Sequence, residues 1–215
     1  MNNNISREDM LEKLRAYATT PDDDNIRYKE KIKHALLNCP ELLFALNEKN
    51  LESELFYESD NGQVVLNISE DGELLGEVDR YFGDDSNIRP YLFIPETQAD
   101  VRHYVCYEVD FDEIPRYNKN QKYIEVSFNI FVNGRDVIDK NIGVPRHDLI
   151  ASIIREKFNW SNIFGAQTKL VSSKESVTDK NYLVRTLIFQ NVDTNSIVET
   201  NNGITSVINN HKIRR

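Results

Sequence analysis

The stretch YIEVSFNIFV, residues 123–132, decides how the rest of the chain is interpreted. One parity of this stretch is apolar throughout and comprises Ile124, Val126, Phe128, Ile130 and Val132. Since successive side chains of a strand point to opposite faces, this alternation predicts a long strand with one buried face. The turn dipeptide Asn133-Gly134 ends it. A sheet with one covered face is therefore the expected centre of the fold.

A second strand of the same kind is expected just upstream, in residues 101–111. Its apolar parity contains Val101, His103, Val105, Tyr107, Val109 and Phe111, and its polar parity contains Arg102, Cys106, Glu108 and Asp110. The run Tyr91-Leu92-Phe93-Ile94 lies between Pro90 and Pro95. Proline donates no backbone hydrogen bond, so this run is predicted to be a short strand at a sheet edge.

The sequence downstream predicts one helix and two further strands. Pro145–Phe158 carries an apolar stripe at helical spacing, made of Leu149, Ile150, Ile153, Ile154 and Phe158. Thr168–Val171 is predicted to be a short strand and 172–181 a polar loop. Residues 182–190 are apolar on both parities, which is typical of a central strand.

Both ends of the chain predict smaller elements. Ser6 and Asp9 form a capping-box variant that opens a first helix. The acidic run Asp22–Asp24 suits the first turn of a second helix, and Pro40 can open a third. The turn signals at residues 60–63 and 71–73 predict a hairpin excursion. Residues 197–200 and 204–208 predict a C-terminal hairpin, which should pair with another element because an isolated hairpin is marginal in water.

The predicted fold class is therefore α+β: a mainly antiparallel sheet with one helix packed on a face, a short N-terminal helical module and a C-terminal β-hairpin arm. We divide the chain into a helical module at 1–56, an acidic hairpin or loop excursion at 57–88, an α+β core at 89–194, and the arm with a basic tail at 195–215.

Charge is distributed unevenly along the 215 residues, which carry 26 Lys and Arg, 35 Asp and Glu, and a net charge of −9. Residues 41–113 contain 4 basic and 19 acidic residues, whereas residues 114–215 contain 15 basic and 9 acidic ones. A net acidic chain is a poor general binder of nucleic acid, because carboxylates repel phosphates. The polarity instead favours contact between an acidic and a basic surface.

Several sequence features bear on the cellular location of the protein. No stretch approaches the roughly 20 apolar residues that span a bilayer, and the N-terminus has no secretory signal. Cys39 and Cys106 are expected to be reduced, buried thiols, with a single long-range disulfide as the alternative. These features indicate a soluble protein made in a reducing cytosol, with no membrane partner.

The sequence contains none of the common catalytic or phosphate-binding motifs and only a weak candidate for a metal site. No phosphate-binding glycine loop or Gly-x-Ser-x-Gly is present. His103 and Cys106 point to opposite faces of a strand, and adding His34 and Cys39 would make only a conceivable zinc site. A buried thiol and a hydrogen-bonded histidine are the simpler expectation. We expect no catalytic residue, no metal and no cofactor.

A metal-dependent nuclease is the enzymatic alternative. Such enzymes place carboxylates on adjacent strands, and here Glu108, Asp110, Asp112 and Glu113 end one strand while Glu125 lies on the next. No lysine follows two residues after any of them on a strand. Glu108 and Asp110 also occupy the polar parity, where solvated carboxylates normally lie.

The block from Arg89 to Val198 resembles a bacteriophage tail-terminator or neck protein. The resemblance lies in the order of four pieces: residues 88–95, the strand 123–132, the helix opening GVPRHDLI at 143–150, and YLVRTL at 182–187. The N-terminal helices and the 57–88 excursion depart from the compact terminator pattern. The resemblance therefore leaves open whether the ring is a terminator, a stopper or an adaptor, or whether the chain is a minor capsid protein.

The resemblance implies a homo-oligomeric ring, commonly hexameric, that sits in the virion between head connector and tail tube after assembly in the host cytoplasm. DNA would pass through it without sequence-specific binding. The candidate subunit-interface residues are Arg146, Asp148, Ile197, Val198, Ile204 and Val207. The candidate acidic surface, facing either a channel or a partner, contains Asp71, Glu73, Asp84 and Asp85.

Overall fold

The computed structural model describes residues 6–18, 24–46, 56–58, 60–61, 64–67, 69–71, 86–92, 101–112, 121–140, 142–178, 181–194, 197–199 and 205–207. Its helices are α1 (Arg7–Ala18), α2 (Asp24–Leu37), α3 (Pro40–Ala45) and α4 (Arg146–Phe158). Its strands are β1 (Phe56–Glu58), β2 (Val64–Leu66), β3 (Ile88–Arg89), β4 (Tyr104–Asp112), β5 (Gln121–Asn133), β6 (Lys169–Val177), β7 (Tyr182–Thr194), β8 (Ile197–Glu199) and β9 (Thr205–Val207).

Five strands form the central sheet in the order β3-β4-β5-β7-β6. Only the two-residue strand β3 runs parallel to its neighbour, and the other pairings are antiparallel. The two 13-residue strands β5 and β7 pair along their whole length, from Gln121 with Thr194 to Asn133 with Tyr182. The α+β class and the central position of β7 are confirmed.

The inner face of the sheet carries the main hydrophobic core. Phe128 of β5 lies 4.8 Å from Phe158 of α4 and 5.7 Å from Phe189 of β7, measured between ring centroids. Tyr28 of α2 packs edge-on against Phe164 at 5.1 Å. Buried residues of α2 and α3 thus belong to the same cluster as those of the sheet.

The outer face carries a smaller apolar cluster near one end of the sheet, made of Tyr104, Cys106, Phe131, Tyr182 and Val184. The first half of β4 is therefore buried on both faces. Only its second half is amphipathic, with Val109 buried and Asp110 exposed.

Two strand boundaries differ from the prediction. The short edge strand forms at Ile88–Arg89, before Pro90, whereas Tyr91, in a bend, and Leu92 are exposed; residues 93–94 lie outside the described residues. Ser172–Val177, predicted as polar loop, continues β6. At the sheet edge β6 pairs with β7 alone, and residues 173–177 are exposed on both faces, so this polar sequence pairs without burying its side chains.

The smaller elements agree with the sequence. Ser6 and Asp9 cap α1 reciprocally: Asp9 N donates to Ser6 Oγ (3.1 Å) and Ser6 N donates to Asp9 Oδ2 (3.2 Å). Pro40 occupies the first turn of α3. The hairpins β1–β2 and β8–β9 form two separate two-stranded sheets. Among the described helices, none is long and apolar enough to cross a membrane.

Candidate functional site

In the connection between β5 and α4, the described residues 134–140 and 142–145 fold tightly on themselves. Ile138 pairs with Pro145 as an isolated bridge, and Asp139 N donates to Val144 O at 2.9 Å. Gly143 N donates back to Asp139 O at 2.8 Å, and the turn needs a φ of +71° at Gly143. Glycine adopts this left-handed region without the steric cost of a Cβ atom. The loop is therefore held in one shape by its own hydrogen bonds.

Arg146, the first residue of α4, binds two carboxylates of this loop. Its side chain is only 3% exposed, and its Nη1 contacts Asp139 Oδ2 at 2.9 Å while Nη2 contacts Asp136 Oδ2 at 3.2 Å. Nη1 also donates to Ala45 O, at the end of α3, at 2.9 Å. A buried charge is tolerated only when it is paired and hydrogen-bonded, and Arg146 meets both conditions. One guanidinium thereby joins the loop, α4 and α3.

His103 extends the same cluster. Its Nε2 lies 3.3 Å from Asp136 Oδ2, and Asn133 N donates to its Nδ1 at 3.3 Å. Burial is the main cause that lowers the pKa of His103 to about 4, and the nearby Arg146 charge acts in the same direction. Together they outweigh the neighbouring Asp136 carboxylate, so the imidazole is neutral at pH 7.

The same loop exposes three aliphatic side chains to solvent. Ile138, Ile142 and Val144 are 50%, 55% and 39% exposed. Single exposed aliphatic residues are common, but three of them on one short, rigid loop are a feature of protein contact surfaces. We call Ile138, Ile142 and Val144 the apolar loop patch.

A second charge cluster lies beside the first turn of α4. Arg185 of β7 pairs with Asp148 and, at 3.2 Å, with Glu175 of β6. His147 is 4% exposed, and its Nε2 lies 3.7 Å from Glu175 and 3.8 Å from Asp148, beyond hydrogen-bond distance. These contacts tie α4 to the two strands β6 and β7.

The residues predicted for the subunit interface fall in different places. Arg146 is internal and pairs with Asp136 and Asp139 of its own chain. Asp148 is half-buried and paired with Arg185. The hairpin β8–β9 contains Ile197, Val198 and Val207, with Ile197 opposite Val207. Ile204 lies outside the described residues.

Of the predicted acidic surface, the structure describes Asp71, in an exposed turn. Glu73, Asp84 and Asp85 lie outside the described residues. The apolar loop patch was missed by sequence reasoning. Its one sequence signal is an aliphatic residue at 138, 142 and 144 in a stretch that also contains Gly143 and charged side chains.

Of the carboxylates considered for a nuclease, Glu108, Asp110 and Glu125 lie on the outer face of the sheet, and Glu113 lies outside the described residues. Asp110 is opposite Glu125, and Glu108 is opposite Ser127. Glu125 accepts a hydrogen bond from Gln190 at 3.2 Å. Within the described ranges, no group of three or more His, Cys, Asp or Glu is arranged to hold a metal ion. Cys39 and Cys106 are buried and form no disulfide, and burial raises the pKa of the Cys39 thiol.

The sequence matches the YomW family over residues 40–191, more than two thirds of the chain. The chain belongs to the YomW family. That name is given to a phage-derived, SPbeta-type protein, so the family association is consistent with a phage origin. The YomW match includes the central sheet up to residue 191 of β7, α3, α4 and the apolar loop patch, and it begins after α1 and α2. A search of curated proteins finds no match.

Proposed function

We propose that this chain is a structural virion protein that forms a ring at the phage neck or tail end. In this role it joins the tail tube to the head connector and ends tail polymerisation, as a tail terminator does. Support comes from the phage-associated family and from the order of elements in the core. The observation that carries the proposal is the apolar loop patch, whose loop is held by the buried ion pairs of Arg146 with Asp136 and Asp139.

The patch has the properties that a joining surface requires. A contact loop loses less conformational entropy on binding when it is already rigid, and here backbone hydrogen bonds and the Arg146 cluster hold it before any partner arrives. Its aliphatic side chains offer apolar area that a second protein can cover. We assign this surface to the adjoining ring of the connector or tail tube.

Passage of DNA is compatible with the charge of the chain. The net charge of −15 on residues 41–113 repels phosphates, so a ring that presents part of this stretch to its channel would not hold the genome. In this proposal the DNA passes through without sequence-specific binding.

The test is disruption of the gene in a phage that carries it. We expect free heads and tails of abnormal length in electron micrographs. Normal joined particles from the disrupted phage would contradict the proposal. Complementation with Ile142→Asp should fail to join heads to tails, because a charge then replaces the centre of the patch. The matched control is Val177→Asp, an exposed valine on the edge strand β6, which should complement like the wild type.

The proposed role is not enzymatic. The metal-dependent nuclease alternative is tested by incubating plasmid DNA with the purified chain and Mg²⁺ or Mn²⁺. We expect no cleavage beyond that of a mock purification. Metal-dependent cleavage that disappears in Glu108→Ala would overturn the structural assignment.

A further inference from the structure

The loop between β5 and α4 contains two acidic and two basic residues, and the structure places the two kinds differently. The acids are Asp136 and Asp139, whose side chains are 18% and 9% exposed and both bind Arg146. Asp136 Oδ2 also lies 3.3 Å from His103 Nε2, and Asp139 Oδ1 accepts a hydrogen bond from Ile142 N at 3.3 Å. Both carboxylates of the loop are therefore directed toward the interior.

The two bases of the loop lie at its surface. Arg135 and Lys140 are exposed, since the carboxylates of the loop bind Arg146 instead. Lys140 and Ile142 belong to one tight turn, which Gly143 N closes by donating to Asp139 O at 2.8 Å. The apolar loop patch therefore has a positive charge within its own turn.

The buried ion pairs thus determine the charge of the loop surface. A buried ion pair is weak evidence of a gain in stability, because well-packed apolar residues of similar volume often stabilise a fold equally well. Here the pairs withdraw both acids and leave two cations beside three aliphatic side chains. On a chain with a net charge of −9, this is a local surface of the opposite sign. It complements an apolar surface that is bordered by carboxylates.

We propose that the apolar loop patch docks on an acidic protein surface of the adjoining ring. Apolar side chains of that surface cover Ile138, Ile142 and Val144, and its carboxylates pair with Arg135 and Lys140. The inference rests on the proposed function, because it names the chemistry of the partner surface for the same site.

A protein surface fits this loop better than nucleic acid does. Aliphatic side chains offer no ring on which a base can stack, and two cations neutralise only about two phosphates. Charges at the border of a protein interface instead raise the rate of association and exclude partners of like charge. The two bases therefore select an acidic partner among surfaces of equal hydrophobicity.

The experiment adds the purified full chain to a lysate of the disrupted phage, which contains separate heads and tails. The rate at which plaque-forming particles appear measures head–tail joining. Salt screens the attraction between opposite charges, so joining by the wild-type chain should slow by about tenfold or more as NaCl is added.

The double variant Arg135→Glu, Lys140→Glu is decisive, because it reverses both exposed charges and leaves the buried cluster in place. Joining should slow by about tenfold or more, and added NaCl should then accelerate it, since salt screens the new repulsion. Its melting temperature should match that of the wild type, because both positions are exposed. The matched control is Lys174→Glu on the edge strand β6, which should join like the wild type.

Three results would overturn the inference: joining by the double variant at the wild-type rate, wild-type joining that does not respond to NaCl, or binding of duplex DNA that the double variant loses. The proposed function survives these results if Ile142→Asp still fails to join heads to tails. If Ile142→Asp also joins normally, the apolar loop patch has no part in joining, and the proposed function fails as well.

Discussion

At the scale of single residues, Arg146 connects more of the molecule than any sequence pattern suggested. The sequence indicated it only as a candidate subunit-interface residue at the start of a helix, next to His147 and Asp148. Its actual partners, Asp136, Asp139 and Ala45, come from a loop and from a helix 101 positions away. No local pattern specifies such contacts, since they arise only when the sheet brings the segments together.

Arg146→Met should be strongly destabilising. It leaves the Asp136 and Asp139 carboxylates without their cation in a largely buried site, and breaking a buried pair in this way costs about 3–5 kcal/mol. Urea unfolding followed by circular dichroism measures the change. Arg155→Met on the exposed side of the same helix is the control and should change the free energy of unfolding by less than about 0.5 kcal/mol. Equal stabilities for the two variants would show that the buried cluster contributes little.

The lowered pKa of His103 predicts that the protein loses stability in mild acid. Its folded pKa of about 4 is below the ordinary histidine value of 6.5, so the unfolded chain binds a proton more readily between these values. The contribution is fully present above pH 6.5 and declines as the pH falls toward 4, by on the order of 3 kcal/mol in total.

The measurement for His103 is urea unfolding at several pH values, with an NMR titration of the imidazoles. His103→Gln should flatten the pH dependence in this range relative to the wild type. A His103 that titrates near pH 6.5 in the folded protein would refute the prediction.

At the scale of elements, the sequence predicted the strands and the helix that have a periodic apolar pattern. It missed the segments whose structure depends on pairing with a distant strand. The alternation in 123–132 and the stripe in 145–158 gave β5 and α4 almost to the residue. The polar run 172–177 was mistaken for a loop, because its place at the sheet edge depends on β7. The apolar loop patch was missed for a similar reason, since Ile138 and Ile142 have no periodic context.

The C-terminal hairpin predicts a role in assembly. In the described residues β8 and β9 pair with each other and not with the five-stranded sheet, and strands of three residues are marginal alone. Deleting residues 195–215 should therefore weaken oligomerisation in mass photometry while the melting temperature changes little. Deleting only 209–215 retains both strands and is the control. Unchanged assembly after the longer deletion would count against an arm that adds strands to a neighbour.

At the scale of the whole molecule, the boundary between the acidic and the basic half of the sequence does not coincide with a boundary in the hydrophobic core. The acidic and basic halves meet within one fold, since β3 and β4 come from the acidic stretch while β5, β6 and β7 come from the basic one. The predicted helical module at 1–56 supplies Tyr28, Ile32 and Leu36 to the core of the sheet. The division of the chain at residue 56 stays a prediction, and truncation can test whether the sheet folds without the N-terminal helices.

Two truncations address it. Removing residues 1–18 deletes α1, whose Met10, Leu11 and Leu14 are exposed, so the free energy of unfolding should change little. Removing residues 1–39 also withdraws Tyr28, Ile32 and Leu36, each fully buried and worth about 1.5–3 kcal/mol. That loss approaches the 5–15 kcal/mol total stability of a typical domain. We expect the longer truncation to lose its near-ultraviolet circular dichroism and cooperative melting, although it retains the whole YomW match at 40–191. If it melts cooperatively at the wild-type temperature, the helices are an appendage and the sheet with α3 and α4 folds alone.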